Sequence, residues 1–397
     1  MAVNDDIVAE IEEEDDNGEL HEELPKSDQE IEDAYANNVF RVIYQTNNFL
    51  LPQLRDLING REVLNLRPEY QRRLRWSAKK KSLLIESLLL NIPVPPIYFF
   101  ENDLARYEVM DGQQRLNAIH EFLENDFVLT GMVKMAFLNG RRYSRLPPKV
   151  RRGLDRASVS AIVLLQETRS DEKDPYLVRR YVFERLNTGG EKLNAQELRN
   201  SIYKGDFNDL VVELARNPSF CRIFNIPVYS AVDDNEYYEN ETRQKNTLYR
   251  TMGDCQLVLR SFALMDDDRI SGSMRSILDR YMRDNKDISQ LEIEAKRNSF
   301  SAVIEACEAI FGEETFRLPP DKSGRRRVSA ALYDSITVSL MRRIDNLPKF
   351  VEKGFEIKAS VDALLDRDLD LMTGQANTSD ATKKRLAAVG SILDSIC

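Results

Sequence analysis

The chain has 397 residues, with 56 Lys/Arg against 66 Asp/Glu for a formal net charge of −10, and 42% apolar side chains, enough for two packed units. Its two histidines, His21 and His120, are too few for a His-metal finger, an HNH nuclease centre or a zinc protease, and the absence of G-x-x-x-x-G-K-[ST] excludes a Walker P-loop. Cys221, Cys255, Cys307 and Cys397 form no C-x-x-C pair, and no signal peptide or apolar run of roughly 20 residues occurs, so the expectation is a cytoplasmic protein with reduced thiols and no membrane partner.

Residues 1–37 come first, with fifteen Asp/Glu against the single Lys26, a local charge of −14 that leaves the remaining chain at +4. A like-charge block with few aromatics reads as a disordered, solvated tail. Such a segment can also cover a basic groove in cis, mimicking nucleic acid.

From residue 38 to about 200 short β-like runs alternate with helical patterns. The pattern predicts a helix over 46–59, a strand over 63–66, a helix over 77–91, strands over 97–100 and 107–110, and a helix over 113–125. Asn139-Gly140 suggests a hairpin turn, and 160–165 is another β-like run. This describes an α/β domain with few strands. From Pro175 onward the signals are helical, as in Leu257, Val258, Phe262 and Leu264, then Val303, Ile304, Cys307 and Ile310, then Leu332, Ile336 and Leu340. Residues 201–397 therefore read as a helical domain, punctuated at Pro319-Pro320, Ser323-Gly324 and Pro348, with no fixed-period repeat.

Four segments carry candidate chemistry. Asp111-Gly112-Gln113-Gln114-Arg115 joins the strand ending at Met110 to the helix starting at Gln113. A helix N-terminus attracts anions, and an arginine in its first turn opposes the macrodipole unless a carboxylate or a bound anion compensates. Asp111 supplies a carboxylate, so an ordinary salt-bridged helix start and a phosphate site both fit. The segment 67–76 combines four arginines with Tyr70 and the only tryptophan, Trp76, ahead of a Ser77 cap. Arginine forks suit phosphate and the aromatic faces suit bases, although Trp76 would serve equally as a core anchor. Lys79, Lys80 and Lys81 follow in the first turn of that helix, again against the dipole, which favours a shared anion site.

Residues 183–190, Phe-Glu-Arg-Leu-Asn-Thr-Gly-Gly, read as a helix closed by a Gly189 C-cap, with Asn194 and Glu197 capping the next helix. Asn187 and Thr188 would also suit an exposed turn that holds phosphate or a metal-bound water. The last segment is basic: Arg141, Arg142, Arg145, Lys149, Arg151, Arg152 and Arg156 face only Asp155. It is a solvated face by default, or a track for a nucleic-acid backbone. Arg325, Arg326 and Arg327 form a smaller cluster.

Tyr70-Gln71-Arg72 with Trp76, then Asp111 to Arg115, then Phe183 through Asn187-Thr188-Gly189 to Leu193 and Glu197-Leu198, taken in order, resemble the N-terminal domain of GmrSD-type restriction endonucleases over roughly residues 40 to 250. The resemblance implies a ParB/sulfiredoxin-like α/β fold with a helical extension. It also implies nucleoside triphosphate binding and hydrolysis by the DGQQR element, in prokaryotic defence against phage or modified DNA. On that likeness Asp111 would orient a water or a Mg²⁺-bound oxygen, and Gly112 would let backbone N–H groups approach phosphate. Gln113 and Gln114 would position the nucleophile or the transferred oxygens, and Arg115 and Arg72 would neutralise developing charge. Tyr70, Gln71, Asn187 and Thr188 would help hold the nucleotide, with Mg²⁺ inferred from triphosphate chemistry.

Many members of that family continue into a histidine-dependent HNH domain, for which this sequence has neither the residues nor the histidines. Three readings follow: a nucleotide hydrolase gating a defence response, a ParB-like DNA-binding or DNA-nicking protein that uses Arg141, Arg142, Arg145, Arg151 and Arg152, and a non-catalytic nucleotide switch that holds a separate nuclease.

Overall fold

The structure, a computed structural model, describes residues 4–16, 27–37, 42–60, 63–65, 76–165, 177–186, 194–229, 241–373 and 378–396. It divides into two units, residues 23–192 and residues 1–22 together with 193–397. The acidic segment is not a uniform disordered tail, because Asp5–Asp16 forms helix α1 and Asp28–Asn37 forms α2. The spacing of Ile7, Val8 and Ile11 puts them on one face of α1, and all three are buried in the helical unit. Its acidic groups are also used there. Thr247 Oγ1 donates to Asp5 at 2.7 Å and Arg325 pairs with Asp6 at 2.6 Å. Glu10 accepts from the backbone N–H groups of Ala330 and Ala331 at 3.1 and 3.0 Å.

In the α/β unit the order is β1 (Tyr44–Leu50), α3 (Leu51–Asn59), β2 (Leu64–Asn65), α4 (Ala78–Leu89), β3 (Ile97–Asp103), β4 (Arg106–Asp111), α5 (Gln113–Leu123), α6 (Pro148–Asp155), β5 (Ser158–Leu164) and α7 (Leu177–Leu186). The strands form one mixed sheet in the order β1-β5-β3-β4-β2. Pairs β1/β5 and β3/β4 are antiparallel, while β3/β5 and β2/β4 are parallel. The expected α/β character is borne out, but the helix expected over 46–59 starts only at Leu51. Residues 44–50 pair along their whole length with β5, from Tyr44 opposite Leu164 to Leu50 opposite Ser158. Asn139-Gly140 makes a turn without a hairpin: a 3-10 turn, Ala136–Leu138, precedes it, and Gly140 takes a left-handed φ of +83°.

Helices α4 and α5 form for legible reasons. Ser77 caps α4 by accepting from Lys80 N, and Leu84, Ile85 and Leu88 line one buried face. Leu116, Ile119 and Phe122 do the same for α5. They pack with Phe99, Val109 and Val163 of the sheet into one core, each such side chain stabilising the unit by about 1.5–3 kcal/mol when fully buried.

The second unit is helical, as expected. It contains α8 (Ala195–Ile202), α9 (Asp206–Leu214), α10 (Pro218–Ile223), α11 (Gly253–Ala263), α12 (Met274–Asp284), α13 (Gln290–Phe311), α14 (Ala330–Met341), α15 (Leu347–Glu352), α16 (Gly354–Arg367) and α17 (Ser379–Ile396), with shorter turns between them. Asn194 and Glu197 form the expected capping box at α8. Helices α11 and α14 are buried along their whole length, and the Arg260–Asp334 ion pair and the Ser261–Tyr333 hydroxyl contact join them inside the core. Removing one partner of such a pair costs about 3–5 kcal/mol, because the other charge stays buried. Cys221, Cys255 and Cys307 are buried and in no disulfide, and burial pushes the Cys307 thiol well up, away from thiolate chemistry.

Candidate functional site

Asp111 closes β4 and Gly112 turns the chain into α5 with a left-handed φ of +93°. No side chain caps this helix among the described residues. The Arg115 guanidinium folds back over the turn, donating to Asp111 Oδ2 at 2.7 Å and to the Pro96 carbonyl at 3.1 Å. Its Nε is buried with no hydrogen-bond partner among the described residues, and the Asp111 carboxylate is partly exposed. A Cβ on Gly112 would lie 3.0 Å from both Arg115 Nη2 and Ile97 Cγ1, so the guanidinium position and the glycine depend on each other.

Helices α4 and α5 pack against each other. Trp76 N, just ahead of α4, donates to Gln114 Oε1 at 3.3 Å in the first turn of α5, while Lys81, in the first turn of α4, pairs with Glu121 in the last turn of α5. The positive end of the α5 dipole lies at Asp111 to Arg115, whereas the first turn of α4 reaches the last turn of α5 and the loop beyond it, where Thr130 N donates to Ser82 Oγ. Lys81 is neutralised by Glu121, whereas Lys79 and Lys80 meet no carboxylate among the described residues. Lys80 Nζ sits 4.8 Å over the Trp76 ring, which is itself half-buried against the core. Trp76 therefore serves as the core anchor that the sequence allowed.

Tyr70, Gln71, Arg72, Asn187 and Thr188, with the Gly189 cap, lie outside the described residues. Their flanks are in place. Trp76 fixes the end of the first motif against Gln114. Helix α7, which leads into the third motif, is tied to β4 by a buried Arg179–Glu108 pair at 2.6 Å, and Arg179 also lies 5.3 Å over the Phe100 ring.

Arg141, Arg142, Arg145, Lys149, Arg151, Arg152 and Arg156 are all exposed, and none makes an ion pair among the described residues. The one acidic group within the cluster is taken: Asp155 accepts from the Tyr143 hydroxyl at 2.6 Å. Burial and that carboxylate push the Tyr143 phenol up to about 12.

Sequence reasoning missed Pro96 and Tyr98. The first supplies the carbonyl that holds Arg115, and the second stands directly opposite Asp111 in the β3/β4 register. Neither carries a local signal, because both reach the turn only through strand pairing. Among the described residues no three His, Cys, Asp or Glu side chains converge as a metal site, and no helix is long and apolar enough to cross a membrane.

No curated protein and no solved structure matches the chain. Residues 54–204, a span that contains Asp111 to Arg115 and helices α4 to α7, match the family model of the GmrSD restriction endonuclease N-terminal domain, which relates the chain to restriction and defence systems.

Proposed function

We propose that this protein binds a nucleoside triphosphate at the Asp111 to Arg115 turn and hydrolyses it, as a component of a prokaryotic restriction or anti-phage defence system. The observation that carries the reading is the glycine turn at the α5 N-terminus, where the helix dipole and the Arg115 guanidinium favour an anion without a P-loop. The buried Arg115 Nε is a donor with no acceptor among the described residues, as a site awaiting an anionic oxygen would have. Gln114, held by Trp76 N, and Gln113 are the groups to orient a water. That water attacks the γ-phosphorus, the bond to the β-phosphate oxygen breaks, and the charge on the leaving diphosphate falls to Arg115 and Arg72. Tyr70, Gln71, Asn187 and Thr188 remain the candidates for holding the rest of the nucleotide.

Magnesium suits these residues. It needs only one or two carboxylates when phosphates and waters supply the remaining oxygens, and Asp111 has one oxygen to offer while Arg115 holds the other. When bound, the ion would offset the negative charge of the phosphates.

Incubating the purified protein with each triphosphate and Mg²⁺, with Asp111→Ala and Arg115→Ala in parallel, tests the reading. Phosphate release is expected from the native protein and from neither variant. Undiminished release from a folded variant would overturn the assignment, and tight binding without turnover would favour a nucleotide switch that holds a separate nuclease.

A second reading, DNA binding, is favoured by the seven exposed cations between Arg141 and Arg156, which have no ionic partner among the described residues. Filter binding across a salt series checks it, since phosphate contacts make affinity fall steeply with salt.

A further inference from the structure

The loop between α5 and α6 exposes two large apolar side chains, Val133 and Phe137, at 69% and 73%. Such exposure on a slack loop would be unremarkable, but this loop is held from below. Glu86 of α4 is buried, and it accepts from the backbone N–H groups of Val133, Lys134 and Met135 at 3.3, 2.7 and 2.7 Å. Thr130 N donates to Ser82 Oγ of the same helix at 2.9 Å, and Met132 N donates to Asn139 Oδ1 at 3.1 Å. Leu129 and Gly140 close the base of the loop, with Gly140 N donating to the Leu129 carbonyl at 2.8 Å. Met132 and Leu138 turn into the core while their neighbours Val133 and Phe137 turn out. A rigid loop therefore presents an apolar tip, and the chain runs from it directly into Arg141 and Arg142.

We propose that Phe137, flanked by Val133, is a wedge that packs against the face of an unstacked DNA base, while Arg141, Arg142, Arg145 and the α6 arginines hold the adjoining phosphates. The inference rests on the DNA-binding reading and adds what that surface selects: DNA whose bases are already unstacked or separate at low cost. Six of the seven cations are arginine, whose planar forks match phosphate oxygens. An apolar side chain inserted at a base step is how a protein gains from a local kink, and unstacking costs least at a mismatch or in a single strand. A lipid surface suits the tip less well. Interfacial elements present a continuous apolar helix face, whereas here two side chains stand alone and the only buried residue of α6, Leu154, points inward.

The experiment uses the full chain and fluorescence anisotropy with three DNAs of equal length: a matched duplex, a duplex with one central mismatch, and a single strand. The strands carry 2-aminopurine as a reporter of unstacking. Native protein is expected to bind the mismatched duplex or the single strand about tenfold more tightly than the matched duplex, with a rise in 2-aminopurine emission. Phe137→Ala should remove that preference and the emission while leaving affinity for matched duplex and its salt slope unchanged. Phe137→Trp should restore both, and the double variant Arg151→Gln/Arg152→Gln should weaken binding to all three DNAs alike. Phe137 is exposed, so unchanged melting of its variants is expected.

If matched duplex binds with a steep salt dependence but Phe137→Ala keeps the preference and the emission, the wedge is wrong and the DNA reading stands. Failure to bind any of the three at low salt removes the DNA reading itself. Phe137-dependent binding to anionic phospholipid vesicles, without DNA binding, would overturn the proposal in favour of a membrane surface.

Discussion

Gly112 sets the site at the residue scale. Its left-handed backbone and the 3.0 Å approach that a Cβ would make to Arg115 and Ile97 make any other residue strained there and force those side chains to shift. Gly112→Ala is expected to cost about 1–3 kcal/mol in urea unfolding and to push Arg115 off Asp111, lowering phosphate release with it. Glu86 does comparable work for the neighbouring loop. Burial alone would raise its pKa, but the N–H groups of Met135, Val133 and Lys134 outweigh that and hold the carboxyl below its ordinary range. A depressed folded pKa means stability that is complete above about pH 5 and fades as pH falls through the folded value. Glu86→Gln should therefore lose about 2 kcal/mol at pH 7. The gap to the native protein should shrink as unfolding is repeated toward pH 3.5, and a gap that stayed constant would contradict the assignment. The sequence showed Asp111 to Arg115 as a strand, glycine and helix start, yet it showed nothing of Glu86, whose partners lie 47 to 49 residues away.

At the scale of elements, two expectations failed for opposite reasons. The span 46–59 has enough apolar residues at helical spacing to resemble one helix, but its first part finds a full-length strand partner in β5, and pairing overrides local preference. The acidic segment was read from composition, which averages over 37 residues and hides the face formed by Ile7, Val8 and Ile11. Helix α1 is anchored through Asp5, Asp6 and Glu10 in its N-terminal half, and Glu10 occupies the N-terminus of α14, where backbone N–H groups lack intrahelical acceptors. Glu10→Ala is expected to cost about 1 kcal/mol, seen as roughly fivefold faster hydrogen exchange at the Ala330 and Ala331 amides. Unchanged exchange there would show that Ser329, which caps the same helix, suffices alone.

On the scale of the whole molecule, the net charge of −10 divides into functions that composition cannot separate. Asp5, Asp6 and Glu10 are engaged inside the helical unit, so they stabilise it. Asp28, Glu32 and Asp33 of α2 are exposed. Deleting residues 1–16 should lower the melting temperature of the helical unit by several degrees, since it uncovers the groups that bind α1. Neutralising Asp28, Glu32 and Asp33 to Asn, Gln and Asn should leave melting unchanged and, if the acidic segment screens the basic surface, strengthen DNA binding at low salt only. Equal affinity at low salt would assign those residues to solubility.

The sequence by itself determined the α/β-then-helical order, the Ser77 and Asn194 caps, the glycine turn at Asp111 to Arg115 and the density of arginine between 141 and 156. Each is written in residues close together in the chain, where periodicity, capping and charge act locally. The tertiary structure decided which of these meet. It brought Trp76 to Gln114, Pro96 to Arg115 and Glu86 to the loop carrying Phe137, and gave α1 to the helical unit although the α/β unit follows it in the chain. Those outcomes depend on strand register and on which apolar faces cover one another, and burial energy settles them over the whole fold rather than within any window of sequence.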